Sequence, residues 1–471
     1  MGKLIRVTGF TAILGILGAI AVAPATAGTR GIDGRWDANL ISQSGTVIPF
    51  RLDISGSGPT LKGTLYDGFS PYDGTTSATF QNGELVLRIE HYLTTITATL
   101  QDGQLAGQVV THSRGINAQY GFKAVRHVAD SPEAKDAPSI AGSWVIPLDT
   151  PSLKDEKAFR FIVRQRGADV EAAILRVDGD TGAYSGSYKD GKWVLSHFDG
   201  SRPGLIVVSL DQDGTLQILQ NQDRAAKPGA VEGANASSYQ STGAGANSYG
   251  QESVPNGRYA ASLVAYRADV AQAKGLPQPD DYDAHTTVRN PNEQFVFNFP
   301  DVNGKLVSND DPRFKGKVVL AIVTGTWCPN CHDEAQYLVQ LDKKYRSRGL
   351  AIVALDFEEP EQQGSLERQR AFVRQYGVKY TYLIAGAPEE MWEKVPQLVN
   401  LNTWPATVFV GRDGLVKGIH SGFASPASGD FNRQLRQEFT AKIERLLAQK
   451  PSPDVKVSGA GPLKPRAGSG V

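Results

Sequence analysis

The sequence predicts a multidomain protein: a duplicated antiparallel all-β region, barrel or sandwich, followed by a C-terminal α/β domain. Three observations carry this. Residues 28 to about 222 consist of short runs of alternating apolar and polar residues broken by Gly, Asp and Asn, as at 50–54, 61–66, 84–89 and 94–100. That stretch repeats itself. From about 290 onward, apolar strand-like runs alternate with helical periodicity, the pattern of a central mixed sheet covered by helices.

The repeat is explicit. "IDGRW" at 32–36 recurs as "IAGSW" at 140–144, "PFRLDI" at 49–54 as "AFRFIV" at 158–163, and "NGELVL" at 82–87 as "DGKWVL" at 190–195. Three matches at nearly one offset define a duplicated β unit, with copies at 28–128 and 137–222. Each copy holds five or six candidate strands, so the pair can form two small barrels or sandwiches, or one larger closed sheet. Trp36 and Trp144 fall at equivalent points and read as core.

Other segments read from composition. Residues 1–27 have a basic start (Lys3, Arg6), an apolar run and "ATA" before position 28, the pattern of a cleaved secretory signal, with an uncleaved anchor as the alternative. Removing Lys3 and Arg6 from 49 basic residues leaves 47 against 49 acidic ones, a balance that gives no reason to expect nucleic acid or an acidic membrane as partner. Residues 223–289 read as a linker with a helix. Its first part is Gly-rich and polar, and Leu263, Tyr266, Val270 and Ala273 give 259–274 a helical spacing. Residues 450–471 have the composition of a disordered tail.

Within 290–449, "VVLAIVT" (318–324) and "LAIVALDF" (350–357) read as buried strands, and 329–347 as a helix. "TVFV", "GRDG" and "LVKGIH" read as a hairpin, and Leu435, Phe439, Ile443 and Leu446 mark a closing helix. "DFEEPEQQ" (356–363) reads as an acidic solvated loop, and His285 and His420 as structural or surface residues.

The chain has two cysteines, Cys328 and Cys331, in "TWCPNCHDE". As a staple, so short a loop stabilises little. As a zinc site the pair lacks two further ligands, because no second C-x-x-C or H-x-x-x-H occurs and His332 alone does not complete the set. The redox reading remains. A strand running into a helix places Cys328 at the helix N-terminus, exposed, with Pro329 at the first helical position. There the helix dipole favours a thiolate, so Cys328 is expected to attack and Cys331, one turn in, to resolve. Glu334 lies one turn after Cys331. By position it is either a partly buried acceptor for the Cys331 proton or a solvent-facing glutamate. Pro405, in "TWPATVFV", opens a strand, and spacing alone leaves the isomer of its peptide bond open.

Residues 290–449 resemble the TlpA-like, thioredoxin-fold family of exported thiol-disulfide oxidoreductases, which includes the reductases of cytochrome c maturation. The likeness rests on "FNFPDVNGKLVS", "FKGKVVLAIVTGTWCPNC", Glu334, "WPATVFVGRDG" and the closing helix. The resemblance implies a redox-active Cys328–Cys331 disulfide with no other cofactor and no metal. It makes Cys328 the nucleophile, Cys331 the resolving thiol, Glu334 the residue that tunes them, and Pro405 a cis residue beside them. Trp327, Pro329, Trp404 and Pro405 would then face the substrate. Its implied partners are protein thiols and disulfides and an upstream thiol reductant, membrane-bound ones included, in the periplasm or another exported compartment. The sequence departs from related proteins at Trp404, where Thr or Val is common, and at Ile322, where thioredoxin has a buried acid. Two other functions fit the same residues. One is a thiol peroxidase, although Gly325 stands where peroxiredoxins carry Thr. The other is an envelope binding protein in which the β region has the main role.

Overall fold

The structure, a computed structural model, describes residues 31–113, 116–128, 137–180, 182–201, 203–222, 259–359, 362 and 364–450. The expected leader, the Gly-rich stretch before 259 and the tail after 450 lie outside the described residues.

The first β unit is a nine-stranded antiparallel sheet. Its first strand, Gly34–Ile41, pairs on one side with Val47–Ser55 and on the other with the last strand, Ile116–Arg126. The sheet curls until the chain between its two edges spans them. The Thr75 N–H donates to the Gly63 carbonyl (2.8 Å) and the Thr76 N–H to that of Arg88 (2.8 Å). Alternate residues point inward, and Trp36, Leu52, Leu85, Ile96 and Phe122 fill the interior.

The second unit closes completely. Its eight barrel strands run from Gly142–Pro147 through Ala158–Arg166, Asp169–Arg176, Tyr184–Lys189, Lys192–His197, Gly204–Leu210 and Leu216–Gln222 to Tyr259–Arg267, each hydrogen-bonded to its neighbours around the ring. The last strand is a correction to the sequence reading. Residues 259–267, expected to begin a helix, form a strand, and helix occupies only Ala268–Ala273. Leu263 and Tyr266 satisfy a helical spacing, but "SLVAY" is also rich in the β-branched and aromatic residues that sheets favour. An open barrel edge provides seven partners, from Leu216–Ala265 to Gln222–Tyr259. Satisfying a row of backbone groups outweighs the small helical preference. The second copy therefore continues past 222, with residues 223–258 inserted between its last two strands.

The duplication extends to single interactions. Trp36 Nε1 donates to the Ile32 carbonyl and Trp144 Nε1 to that of Ile140, each at 2.9 Å. The Arg126 guanidinium lies 4.3 Å from the Trp36 ring and Arg267 lies 4.0 Å from Trp144. Each arginine also donates to backbone carbonyls just before its tryptophan.

The C-terminal domain has a five-stranded sheet in the order Thr381–Gly386, Leu350–Phe357, Val318–Thr324, Ala406–Val410, Val416–Ser421. The first three strands are parallel and the last two antiparallel. Val318–Thr324 is central and buried at every position. Helices Pro329–Tyr345, Glu367–Tyr376 and Asp430–Leu447 pack through Leu338, Leu341, Phe372, Phe439 and Ile443. Before the central strand, a short strand Asn298–Pro300 pairs with Leu306–Ser308. Among the described residues no helix is long and apolar enough to cross a membrane.

Arg267→Ala removes a stacked cation and two backbone hydrogen bonds. We expect it to destabilise the second barrel by about 1–3 kcal/mol, read as a lower denaturant midpoint.

Candidate active site

The central strand ends at Thr324 and the chain turns sharply through Gly325 into the helix. A side chain at Gly325 would overlap the Trp327 indole, so only glycine allows this turn. Trp327 is fixed by its Nε1–H donating to the Phe357 carbonyl (3.0 Å) and by edge-on contact with Trp404 (5.2 Å). Cys328 is the residue that caps the helix, and Pro329 is at its first position. The Cys328 thiol reaches the Trp404 carbonyl oxygen (3.4 Å), and the Trp404–Pro405 bond is cis. The fold thus brings Trp327, Cys328, Pro329, Cys331, Trp404 and Pro405 together. The rings of Trp327 and Trp404 are buried in the same cluster as the two cysteines.

Cys328 is not exposed, contrary to the sequence expectation. It is 3% accessible and Cys331 1% accessible. A single domain would leave a helix N-terminus open, but here both barrels cover it. The Asn330 amide donates to the Asp178 carbonyl of the second barrel (2.7 Å). From the first barrel, the turn Glu90–Tyr92 packs on the same helix, with the Tyr92 ring 4.2 Å from that of His332.

Glu334 is buried too, which excludes the solvent-facing position. It faces inward, and the Thr407 hydroxyl donates to its Oε1. Desolvation pushes its carboxyl up to about 8, opposed by the Thr407 hydrogen bond and reinforced by repulsion from a charged Cys328. Burial also raises the Cys331 thiol well above its usual range, as does its hydrogen bond with Cys328. The Thr324 hydroxyl and the Gly325 backbone pull it down.

The acidic stretch after Leu350–Phe357 departs from its expected solvation. Glu358 and Glu359 are buried and both pair with Arg368, itself buried. Arg368 Nε also donates to the Thr326 hydroxyl (3.0 Å), which in turn donates to Glu358. Thr326 lies two residues before Cys328, so this ion cluster holds the turn that carries the thiol. Sequence reasoning missed it because acids in a loop usually face water. The available signal was adjacent glutamates directly after a fully apolar strand, with an arginine in the next helix. His285 and His420 have partners in Asn402 (2.7 Å) and Asp283 (2.8 Å) and lie away from the cysteines in sequence and role. Among the described residues no group of three His, Cys, Asp or Glu is arranged to hold a metal ion.

The redoxin family model matches residues 288–435, after the barrels. The chain is 31% identical over 116 residues to the thiol-disulfide oxidoreductase ResA of Bacillus thuringiensis (strain Al Hakam), covering 25% of this chain and 60% of that protein. It is 26% identical over 178 residues to ResA of Halalkalibacterium halodurans, covering 38% and 90%. A secreted Mycobacterium tuberculosis disulfide oxidoreductase homologous to E. coli DsbE overlaps 33% of this chain and 99% of its own, at 20% identity and a TM-score of 0.25. The thioredoxin-family thiol:disulfide interchange protein of Chlorobium tepidum TLS overlaps 34% and 100%, at 22% identity and a TM-score of 0.25. The chain spans about 60% of the length of the first of these relatives. Its C-terminal region is a redoxin domain related to thiol-disulfide oxidoreductases.

Two outcomes test this site. Arg368→Met strands two buried carboxylates and should cost about 3–5 kcal/mol, measured by denaturant unfolding. Glu334 keeps its proton up to about 8 when folded and releases it near 4.5 when unfolded. The folded state therefore binds the extra proton between those values, and stability from this group falls as pH rises through that window. Plotted against pH from 4.5 to 8, the stability difference between wild type and Glu334→Gln should slope accordingly.

Proposed function

We propose that the protein is a thiol-disulfide oxidoreductase of an exported compartment, the periplasm, that reduces protein disulfides through Cys328 and Cys331. The observation that carries this reading is the gathering of three groups at one helix start. The N-cap residue Cys328 and the hydrogen-bonded Cys331 are both buried, and one turn on is a buried carboxyl, Glu334, with a raised pKa.

The chemistry follows from that arrangement. The Cys328 thiolate attacks one sulfur of a substrate disulfide. The substrate S–S bond breaks, and its other sulfur leaves as a thiolate that takes a proton from solvent. Cys328 is now neutral, bonded to substrate. The charge that helped keep Glu334 protonated has gone, so Glu334 ionises more readily. It can then accept the proton of Cys331, whose own burial holds it as a thiol. The Cys331 thiolate attacks Cys328 Sγ, the mixed disulfide breaks, and the second substrate sulfur leaves as a thiolate that takes the proton held by Glu334, so the substrate departs as a dithiol. Two electrons have moved to the substrate, and a thiol reductant must return two to the Cys328–Cys331 disulfide. Thr407 positions Glu334, and the ion cluster on Thr326 positions Cys328.

One observation favours a second reading. A cysteine as covered as Cys328 suits a small substrate such as a peroxide, which would oxidise its thiolate to a sulfenic acid and leave as an alcohol or water. Peroxide turnover that survives in Cys331→Ser would support a thiol peroxidase. A binding role for the β region would have to use its outer surface, since Trp144, Phe161, Trp193 and Ile218 fill the closed barrel.

Cys331→Ser should accumulate a mixed disulfide at Cys328, recoverable with its protein partner on a non-reducing gel. Glu334→Gln should slow resolution on the order of 10²-fold and remove a rise in its rate with pH, whose midpoint lies below about 8 because Cys328 is uncharged in the mixed disulfide. Capture of nothing from an envelope extract, by a Cys331→Ser protein that still exchanges with a small disulfide, would count against protein substrates.

A further inference from the structure

The segment that covers the cysteines from the second barrel is built by the barrel itself. The Val177 N–H donates to Glu156 Oε1 (2.6 Å), Lys154 pairs with the Asp178 carboxylate, and the Gly182 N–H donates to Asp180 Oδ1 (3.1 Å). Residues 178–180 are thus presented in a set shape.

On the redox domain they meet mainly backbone. Gly179 forms a parallel bridge with Phe423. The Phe423 N–H approaches the Asp178 carbonyl (3.4 Å), and the Ser425 N–H donates to the Asp180 carboxylate (2.9 Å). From the helix start, Asn330 donates to the same Asp178 carbonyl (2.7 Å). Next to Phe423, the Gly422 N–H donates to the carbonyl of the cis residue Pro405 (2.7 Å). Residues 178–180, which leave a hairpin turn with Gly179 at φ 112°, therefore lie beside 422–425, on the edge that adjoins both Pro405 and Cys328. Backbone pairing of an extended segment to an exposed edge is a general way to hold a polypeptide. The approach is close on both sides, since a Cβ on Gly179 would overlap the Phe423 carbonyl oxygen and one on Gly422 would overlap residues 177 and 178.

The junction around this contact is polar. Asp67 of the first barrel, Asp180, His197 and Asp199 of the second, and Asp333 of the redox helix are all buried there. Polar junctions between domains of one chain resemble those of complexes that separate.

We propose that Asp178–Gly179–Asp180 is a built-in occupant of the edge on which the redox domain would align a polypeptide disulfide. A protein substrate then reaches Cys328 only when this turn is displaced. The inference rests on the reading of Cys328 as the thiol that attacks protein disulfides. It gives the duplicated β region a role, as a cover that competes with substrate.

The test uses the full-length reduced protein and two variants. Gly179→Val forces a side chain into the Phe423 carbonyl, and Asn330→Ala deletes one hydrogen bond without adding bulk. Alkylation of Cys328 by iodoacetamide and by a polyethylene-glycol maleimide is followed by peptide mass mapping, in variants that keep the wild-type thermal midpoint. Asn330→Ala decides alone if Gly179→Val does not fold. Opening a cover that is shut in most molecules should raise both rates by about tenfold or more, with insulin reduction rising in parallel. Equal rates in wild type and variants would overturn the cover. If insulin is still reduced in that case, the proposed activity stands without it. If alkylation accelerates while no protein disulfide is ever reduced, the cover stands and the proposed substrate class falls.

Discussion

With Cys328 and Cys331 both withdrawn from water, the charge of every ionisable group around them is set inside the protein. That constraint shapes the whole site. In a medium of low dielectric a charge is costly, so the Cys331 thiol and the Glu334 carboxyl both hold their protons to higher pH than they would in water. The same cost explains why Glu358, Glu359 and Arg368 occur together, since each alone would be a buried, uncompensated ion. Thr326 joins that cluster to the cysteine turn, so the groups that settle the charge also hold the geometry.

Burial also makes the proton of Glu334 depend on the state of Cys328. Repulsion between two nearby negative charges is strong where water is scarce. Burial is the main restraint that holds the Glu334 carboxyl neutral, and a charged Cys328 adds a smaller one that is lost once that sulfur is bonded.

The two barrels share strands, tryptophans and stacked arginines, yet they contact the redox helix differently. The first lays the ring of Tyr92 on His332, and the second lays backbone across Asn330 and Phe423. They also hold each other, through Ser196 on the Pro49 carbonyl (2.6 Å) and Thr94 on that of Gly200 (2.7 Å). The duplication was legible in the sequence because Trp36 and Trp144 head matching motifs. The last strand of the second copy was not, because an insertion separates it from its hairpin partner and its spacing also suits a helix. The cysteine pair, the strand before it and the helix after it were legible from local pattern alone. The burial of Cys328, the pairing of Glu358 and Glu359 with Arg368, and the contact between Asn330 and Asp178 were not. The ion cluster joins residues nine and ten apart and was hidden because acids in a loop usually face water, whereas the other two depend on segments distant in the chain, 152 residues apart for Asn330 and Asp178. Local periodicity carries no record of such contacts.

The central claim is a two-electron exchange that begins at Cys328 and ends as a Cys328–Cys331 disulfide. The most direct measurement mixes reduced full-length protein with a protein disulfide, quenches with acid at intervals, and maps every thiol by mass spectrometry. The account predicts an early adduct on Cys328 and none on Cys331, followed by one internal disulfide for each substrate disulfide lost. An early adduct on Cys331, or loss of substrate disulfide without the internal bond, would contradict it.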